Sequence, residues 1–143
     1  MYSTASDLEK LLAPDTIRQL ADDGLGAAEP EVVIAEAIEQ ADREIDSYLG
    51  MVMDLPLDTV PPIITNLSAK IAAYNLHRRR SHLELGEWGK EYDRCLKVLQ
   101  NIATGKLTIG PKAEGDTSKA ENPGRGVMIS RPPEFPDKRL EKY

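Results

Sequence analysis

The sequence predicts a mainly α fold: a small bundle of about four helices with a short β element and an extended C-terminal arm. Three observations carry that expectation. Apolar residues recur at spacings of three and four in several separate segments, as they do in helices with one buried face. Proline and glycine punctuate those segments where helices begin and end. Beyond Pro111 the composition shifts and residues 111–126 are nearly free of large apolar residues, which divides the chain into a helical domain at 1–110 and an extended arm at 111–143.

Taken in order, Thr4 and Asp7 have the spacing of a capping box before Leu8, Leu11 and Leu12, so a short helix opens the chain. Pro14 is expected to end it, and Asp15 to cap a helix of one to two turns through Ile17 and Leu20 that closes near Gly24 and Gly26. Pro30 then stands where a first-turn proline belongs, flanked by Glu29 and Glu31, which suit a positive helix N-terminus. From there Ile34, Ile38, Ala41, Ile45 and Tyr48 keep helical spacing to Leu49, with Gly50 just past the end. Glu36, Glu39, Asp42, Arg43, Glu44 and Asp46 fill the remaining faces and read as a solvated side.

Residues 51–60 cannot continue that helix because Pro56 follows Leu55, so they read as an extended connector whose apolar side chains need a place to pack. Pro61 and Pro62 lead into a helix through Ile64, Leu67, Ile71, Tyr74 and Arg78, running to about His82, with Gly86 as its breaker. The next helix carries Trp88, Tyr92, Cys95, Leu96, Leu99, Ile102 and Ala103, and stops at Gly105. Leu107 and Ile109 alternate with polar neighbours, which allows a short strand, and Val127–Ile129 allows another.

The net charge of −6 argues against general affinity for nucleic acid. Its distribution is more telling: residues 1–60 carry a balance of −11, residues 61–112 one of +5, and the rest is neutral. A single cysteine, Cys95, cannot form an intramolecular disulfide, which fits a reducing compartment. The start has neither a basic stretch nor an apolar run, so no signal peptide is expected. No segment approaches the roughly 18 apolar residues of a membrane span. The expected setting is the cytoplasm of the cell that makes the protein, with no membrane association.

Candidates for catalysis are few. His77 and His82 are five apart, off a common helical face, and with Glu84 they match no metal-ligand spacing; polar residues at a helix end are the better description. Cys95 falls on the apolar stripe of its helix, as a small core residue does. There is no phosphate-binding glycine loop, nucleophile elbow or paired-cysteine signature. The expectation is a protein that is not an enzyme and that holds neither cofactor nor metal.

Two features suit assembly instead. His77-Arg78-Arg79-Arg80 is the one concentrated basic run, placed at a helix C-terminus that it would stabilise in any case. Glu36, Glu39 and Asp42 facing Arg78, Arg79 and Arg80 of a neighbouring copy would form a head-to-tail subunit interface. The alternative is a small DNA-binding regulator that uses the Arg78–Arg80 cluster. In the arm, Arg131, Phe135, Leu140 and Tyr143 lie in a proline-broken segment unable to build its own core, so a partner is expected to engage them.

The segments Asp46-Ser-Tyr-Leu-Gly, Leu55-Pro-Leu-Asp-Thr-Val-Pro-Pro and Ile71-Ala-Ala-Tyr-Asn-Leu-His-Arg-Arg-Arg resemble, in order, the Mu-like phage small neck protein family. The opening Met-Tyr-Ser-Thr-Ala-Ser-Asp-Leu and the run from Tyr92 to Gly110 fit the same pattern, while Met51 and Met53 depart from it, standing where arginine and an aromatic residue are expected. The resemblance spans about residues 1–110 and implies a head–tail adaptor, or connector, of a tailed bacteriophage. Such proteins form a homo-oligomeric ring under the portal and extend the DNA channel. They offer a platform to the next neck, stopper or tail protein. The resemblance therefore implies a ring, expected to be a dodecamer, located in the virion neck and lining a channel through which DNA passes without sequence-specific binding. It also implies that the arm docks on the portal protein.

Overall fold

The computed structural model describes residues 1–24, 28–80 and 84–110. Five helices are present among them: α1 (Ala5–Glu9), α2 (Pro14–Ala21), α3 (Pro30–Leu49), α4 (Pro62–Arg78) and α5 (Gly86–Ala103). They belong to one unit, Met1–Ile109. The expected arm at 111–143, with its Val127–Ile129 strand, lies outside the described residues.

α3, α4 and α5 pack on one another in a triangle, and α1 and α2 lie against α4. α4 thus touches every other helix, and its residues explain how. Ile64, Leu67, Ala69, Ile71, Ala72, Ala73 and Leu76 are buried, and the small alanines let neighbours approach on several sides. A helix apolar nearly all round belongs in the interior. The rest of the core is aliphatic, with Val33, Ile38, Ile45 and Leu49 from α3 and Cys95, Leu99 and Ile102 from α5.

Local chemistry sets the helix ends. The Thr4 backbone N–H and hydroxyl both donate to Asp7 Oδ2 at 2.9 Å, as the capping spacing predicts. Lys10, 2.9 Å away, and then these Thr4 donors hold the Asp7 carboxyl below its ordinary value. Pro14 begins α2 instead of only ending α1, with Ala13 rather than Asp15 at the cap. Its locked φ fits a first helical residue, whose N–H would have no partner in the helix anyway. α5 closes as expected at Gly105, whose φ of +77° is the left-handed turn of a Schellman cap. Lys106 N–H reaches Asn101 O at 2.8 Å, and Gly105 N–H reaches Ile102 O at 3.0 Å.

That cap also explains why no strand forms at Leu107–Ile109. Leu107 N–H donates to Asn101 O at 3.0 Å, so the segment completes a helix end and has no ladder partner, and Ile109 packs on the core. The connector after Gly50 departs from expectation too. Val52 and Met53 N–H both return to Leu49 O, at 2.9 and 3.0 Å, and wind one more turn before the chain extends. Met53, Leu57 and Val60 then pack on the core, while Met51, Val52 and Leu55 stay at the surface.

The expectation of a solvated acidic face on α3 fails at Asp42, which is only 8% exposed. Its Oδ2 accepts the Tyr2 backbone N–H at 2.9 Å, and its Oδ1 accepts the Ser68 hydroxyl at 2.6 Å. Because Ser68 donates to Asp42, the Ser3 hydroxyl, 2.7 Å from Ser68 Oγ, donates to Ser68. A buried carboxyl group needs such donors, and among the described residues no buried side-chain polar atom lacks a partner. Two further carboxylates of the expected face are half-buried acceptors: Asp46 from the Tyr2 hydroxyl, and Glu44 from the Tyr92 hydroxyl at 2.5 Å. Tyr92 also stacks on Tyr74 with ring centroids 4.1 Å apart.

Replacing Asp42 with alanine strands the Tyr2 N–H and removes the acceptor of the Ser68 hydroxyl. It is expected to cost about 2–4 kcal/mol of unfolding free energy, against less than about 0.5 kcal/mol for Glu36→Ala on the exposed side of the same helix. Equal shifts of the urea midpoint would refute the network. Both tyrosine phenols lie well above their ordinary value of 10.0, through burial first and then through their carboxylate partners. A folded-state value raised above the unfolded one gives stability that is intact below about pH 10 and is lost as pH climbs beyond it. Tyr92→Phe should flatten that alkaline loss in unfolding midpoints measured from pH 9 to 11.

Candidate assembly interface

The basic run at the end of α4 does not stand free. The Arg80 guanidinium covers the C-terminal end of α2, donating from Nη2 to Gln19 O at 2.8 Å and also to Asp22 O, and from Nε to Leu20 O at 3.3 Å. Arg79 donates to Leu20 O at 3.4 Å and pairs with the Asp23 carboxylate. These carbonyls are the ones a helix end leaves without partners, and the guanidinium also meets the negative pole of α2. Arg79 and Arg80, expected at an intersubunit contact, are bonded within the chain. Arg78 remains exposed. Two of three arginines being occupied also counts against the DNA-binding alternative, which needs them for phosphates.

The surface charge lies elsewhere. On α3, Glu29, Glu31, Glu36 and Glu39 are exposed, and Arg43 is paired with Glu39 at 2.6 Å. On α5, Lys90, Arg94, Lys97 and Asn101 are exposed at spacings of four, three and four, opposite buried Cys95, Leu99 and Ile102. Lys90 lies 3.3 Å from Glu87 and Arg94 lies 2.8 Å from Glu91, while Lys97 makes no ion pair among the described residues. Sequence reasoning passed over this stripe for the denser arginine run, although its helical spacing was there to be seen.

A third feature is apolar. Met51 is 72% exposed, Val52 44%, and Leu55 and Leu107 37% each. Val52 and Leu107 line one depression with Met53, Ile102 and Ile109, and a Cβ on Gly50 would lie 3.7 Å from the Leu55 side chain. The first turn of the connector and the segment after α5 therefore share an apolar patch. On another side, a groove of about 470 Å³ between α1 and α4 is lined by Leu11, Val60, Thr65 and Ala69, with Asp7 and Lys10 paired to each other at its rim.

Groups with shifted titration have structural causes. Lys70, at 2.6 Å, and then Arg94 hold Glu91 below its ordinary value. Burial pushes the Cys95 thiol up to about 11, away from the thiolate that reactivity requires. His77 donates from Nδ1 to Ala73 O at 2.8 Å and stacks on Trp88, with centroids 5.3 Å apart; His82 lies outside the described residues. So do Arg131, Phe135, Leu140 and Tyr143 of the arm.

Comparison with known proteins places the chain in a family. The family described as Bacteriophage Mu, Gp36 matches residues 2–128. The Mu-like prophage FluMu protein gp36 of Haemophilus influenzae (strain ATCC 51907 / DSM 11121 / KW20 / Rd) is 29% identical over 129 residues, covering 90% of this chain and 87% of the relative. The chain belongs to the Bacteriophage Mu, Gp36 family.

The arginines separate by experiment. Arg80→Ala should lower unfolding free energy by about 1–2 kcal/mol and speed amide exchange in α2, whereas Arg78→Ala should stay within about 0.5 kcal/mol. Equal effects would dismiss the clamp.

Proposed function

We propose, from membership of this bacteriophage family, that the protein is a virion structural protein: a head–tail adaptor subunit. Copies form a ring, twelve-fold to match a portal, located in the neck between the portal and the next neck, stopper or tail protein. The role is mechanical and has no chemical step. The observation that carries this reading within the family is the exposure of Met51, Val52, Leu55 and Leu107, of which Val52 and Leu107 line one depression. A chain with so modest a core exposes such side chains at a cost, and an exposed apolar cluster marks a contact surface.

The arm supplies the second attachment. Arg131, Phe135, Leu140 and Tyr143 give its last stretch, residues 131–143, one cation and three apolar anchors. Docked on the portal from every subunit, these anchors sum weak contacts into firm attachment. The channel works by not binding. Carboxylates facing the lumen repel the phosphate backbone, so DNA slides through without the phosphate contacts that would retard ejection.

A phage lacking this protein should yield filled heads and free tails that fail to join, seen by negative-stain microscopy of lysates, and expression in trans should restore joined particles. Normal virions from such a phage would refute the adaptor role. Phe135→Ala with Tyr143→Ala should weaken binding to purified portal at least about tenfold while leaving the thermal melt unchanged. Unaltered portal binding would remove the arm from the mechanism.

A further inference from the structure

We infer that the exposed acidic face of α3 and the exposed basic face of α5 are the two halves of one contact, made between neighbouring copies of this chain. The inference rests on the ring reading and names the surfaces that would close it. In the α3–α4–α5 triangle the outer faces of α3 and α5 point in different directions. One copy can therefore engage a neighbour on each side. A head-to-tail ring needs two different complementary faces on every subunit, and these are different and opposite in sign.

The residues are specific. At the centre of the α3 face stand Glu36 and Glu39, with exposed Val32 one turn before them. At the centre of the α5 face stand Lys90, Arg94 and Lys97, with exposed Glu87 and Asp93 at its two edges. The partners these charges have among the described residues are weak competitors: Lys90 and Arg94 reach neighbours on their own helix, and Glu39 reaches Arg43. Such exposed pairs are worth little and exchange readily for an intermolecular partner. The arginines at 79 and 80, by contrast, have their donors engaged at the end of α2 and share the Asp23 carboxylate. Complementary faces of this kind set orientation and suppress wrong pairings, since like charges brought together repel.

A charge-exchange experiment on the full chain tests this. One variant carries Lys90→Glu and Lys97→Glu, the other Glu36→Lys and Glu39→Lys. Assembly is followed by sedimentation velocity at low salt and by ring occupancy on purified portal. Wild type should assemble, each variant alone should do so at least about tenfold more weakly, and an equimolar mixture should recover because acidic and basic faces then alternate. Recovery in the mixture also shows that both variants fold; if one melts early by circular dichroism, Glu36→Gln and Lys97→Gln replace the reversals and should each weaken assembly. Rings from each variant alone equal to wild type would overturn this contact and leave the ring intact. A wild type that forms no ring in either assay would overturn the ring and this contact together.

Discussion

The fold turns on one constraint: a carboxyl group placed among aliphatic side chains must be given hydrogen-bond donors. Asp42 sits on the face of α3 that meets α4, and its nearest donors are the Ser68 hydroxyl and the backbone N–H of Tyr2. The first residues of the chain are therefore held across the α3–α4 seam, and Ser3 extends the same chain of bonds. With Tyr2 and Ser3 fixed, the Thr4 cap sets the start of α1, and Leu8 of α1 is driven into the core. A half-satisfied network of this kind is worse than an apolar contact, because each lost partner strands another group. Satisfied throughout, it gives an otherwise featureless aliphatic core a single register for its N-terminal segment, which apolar packing alone specifies poorly.

Much of this was legible in the residues. Pro30, Pro62 and Gly105 mark helix ends because their backbones favour those positions whatever the tertiary context, and α3 runs from Pro30 to Leu49 as its periodicity indicates. Asp42 was misread, yet a signal was present. It stands four residues after Ile38 and three before Ile45, with Leu49 a further turn on, so it lies in the apolar register itself. Ser68 stands likewise between Ile64 and Ile71. A polar residue in register with a buried stripe is a candidate for an internal bond, and two such residues on adjacent helices are candidates for each other. The arginine clamp had no comparable signal. Its acceptors are backbone carbonyls some sixty positions earlier in the chain, and no pattern of side chains announces a carbonyl. The strand at Leu107–Ile109 failed for a different reason, since alternation describes a face but a strand also needs a partner, and here the helix cap had taken the donors.

The structure also redistributes the charge that composition displays. An acidic first half and a basic second half suggest two opposed surfaces, but Asp42 is buried, Asp46 and Glu44 accept tyrosine hydroxyls, and Arg79 and Arg80 are bonded to the end of α2. What remains outside includes glutamates along α3 beside Arg43, and along α5 Lys90, Arg94 and Lys97 flanked by Glu87 and Asp93. Density along the sequence is thus a poor guide to surface potential. Three adjacent arginines at a helix end point in different directions, and those nearest another helix's exposed carbonyls are drawn there, whereas residues spaced four, three and four along one helix share a face.

The apolar patch and the two charged faces differ in what they can contribute to an assembly. Exposed ion pairs steer and orient, but each adds little to affinity and is screened by salt. Apolar area taken out of water adds affinity without direction. A subunit that used only the patch would associate in many orientations, and one that used only the charges would bind too weakly to persist. In the proposed assembly the two would divide the work: charge would select the neighbour and its orientation, and burial of Met51, Val52, Leu55 and Leu107 would hold it. That division also suits Met51, because an unbranched, polarisable side chain fits an imperfectly shaped partner better than the arginine expected at that position would.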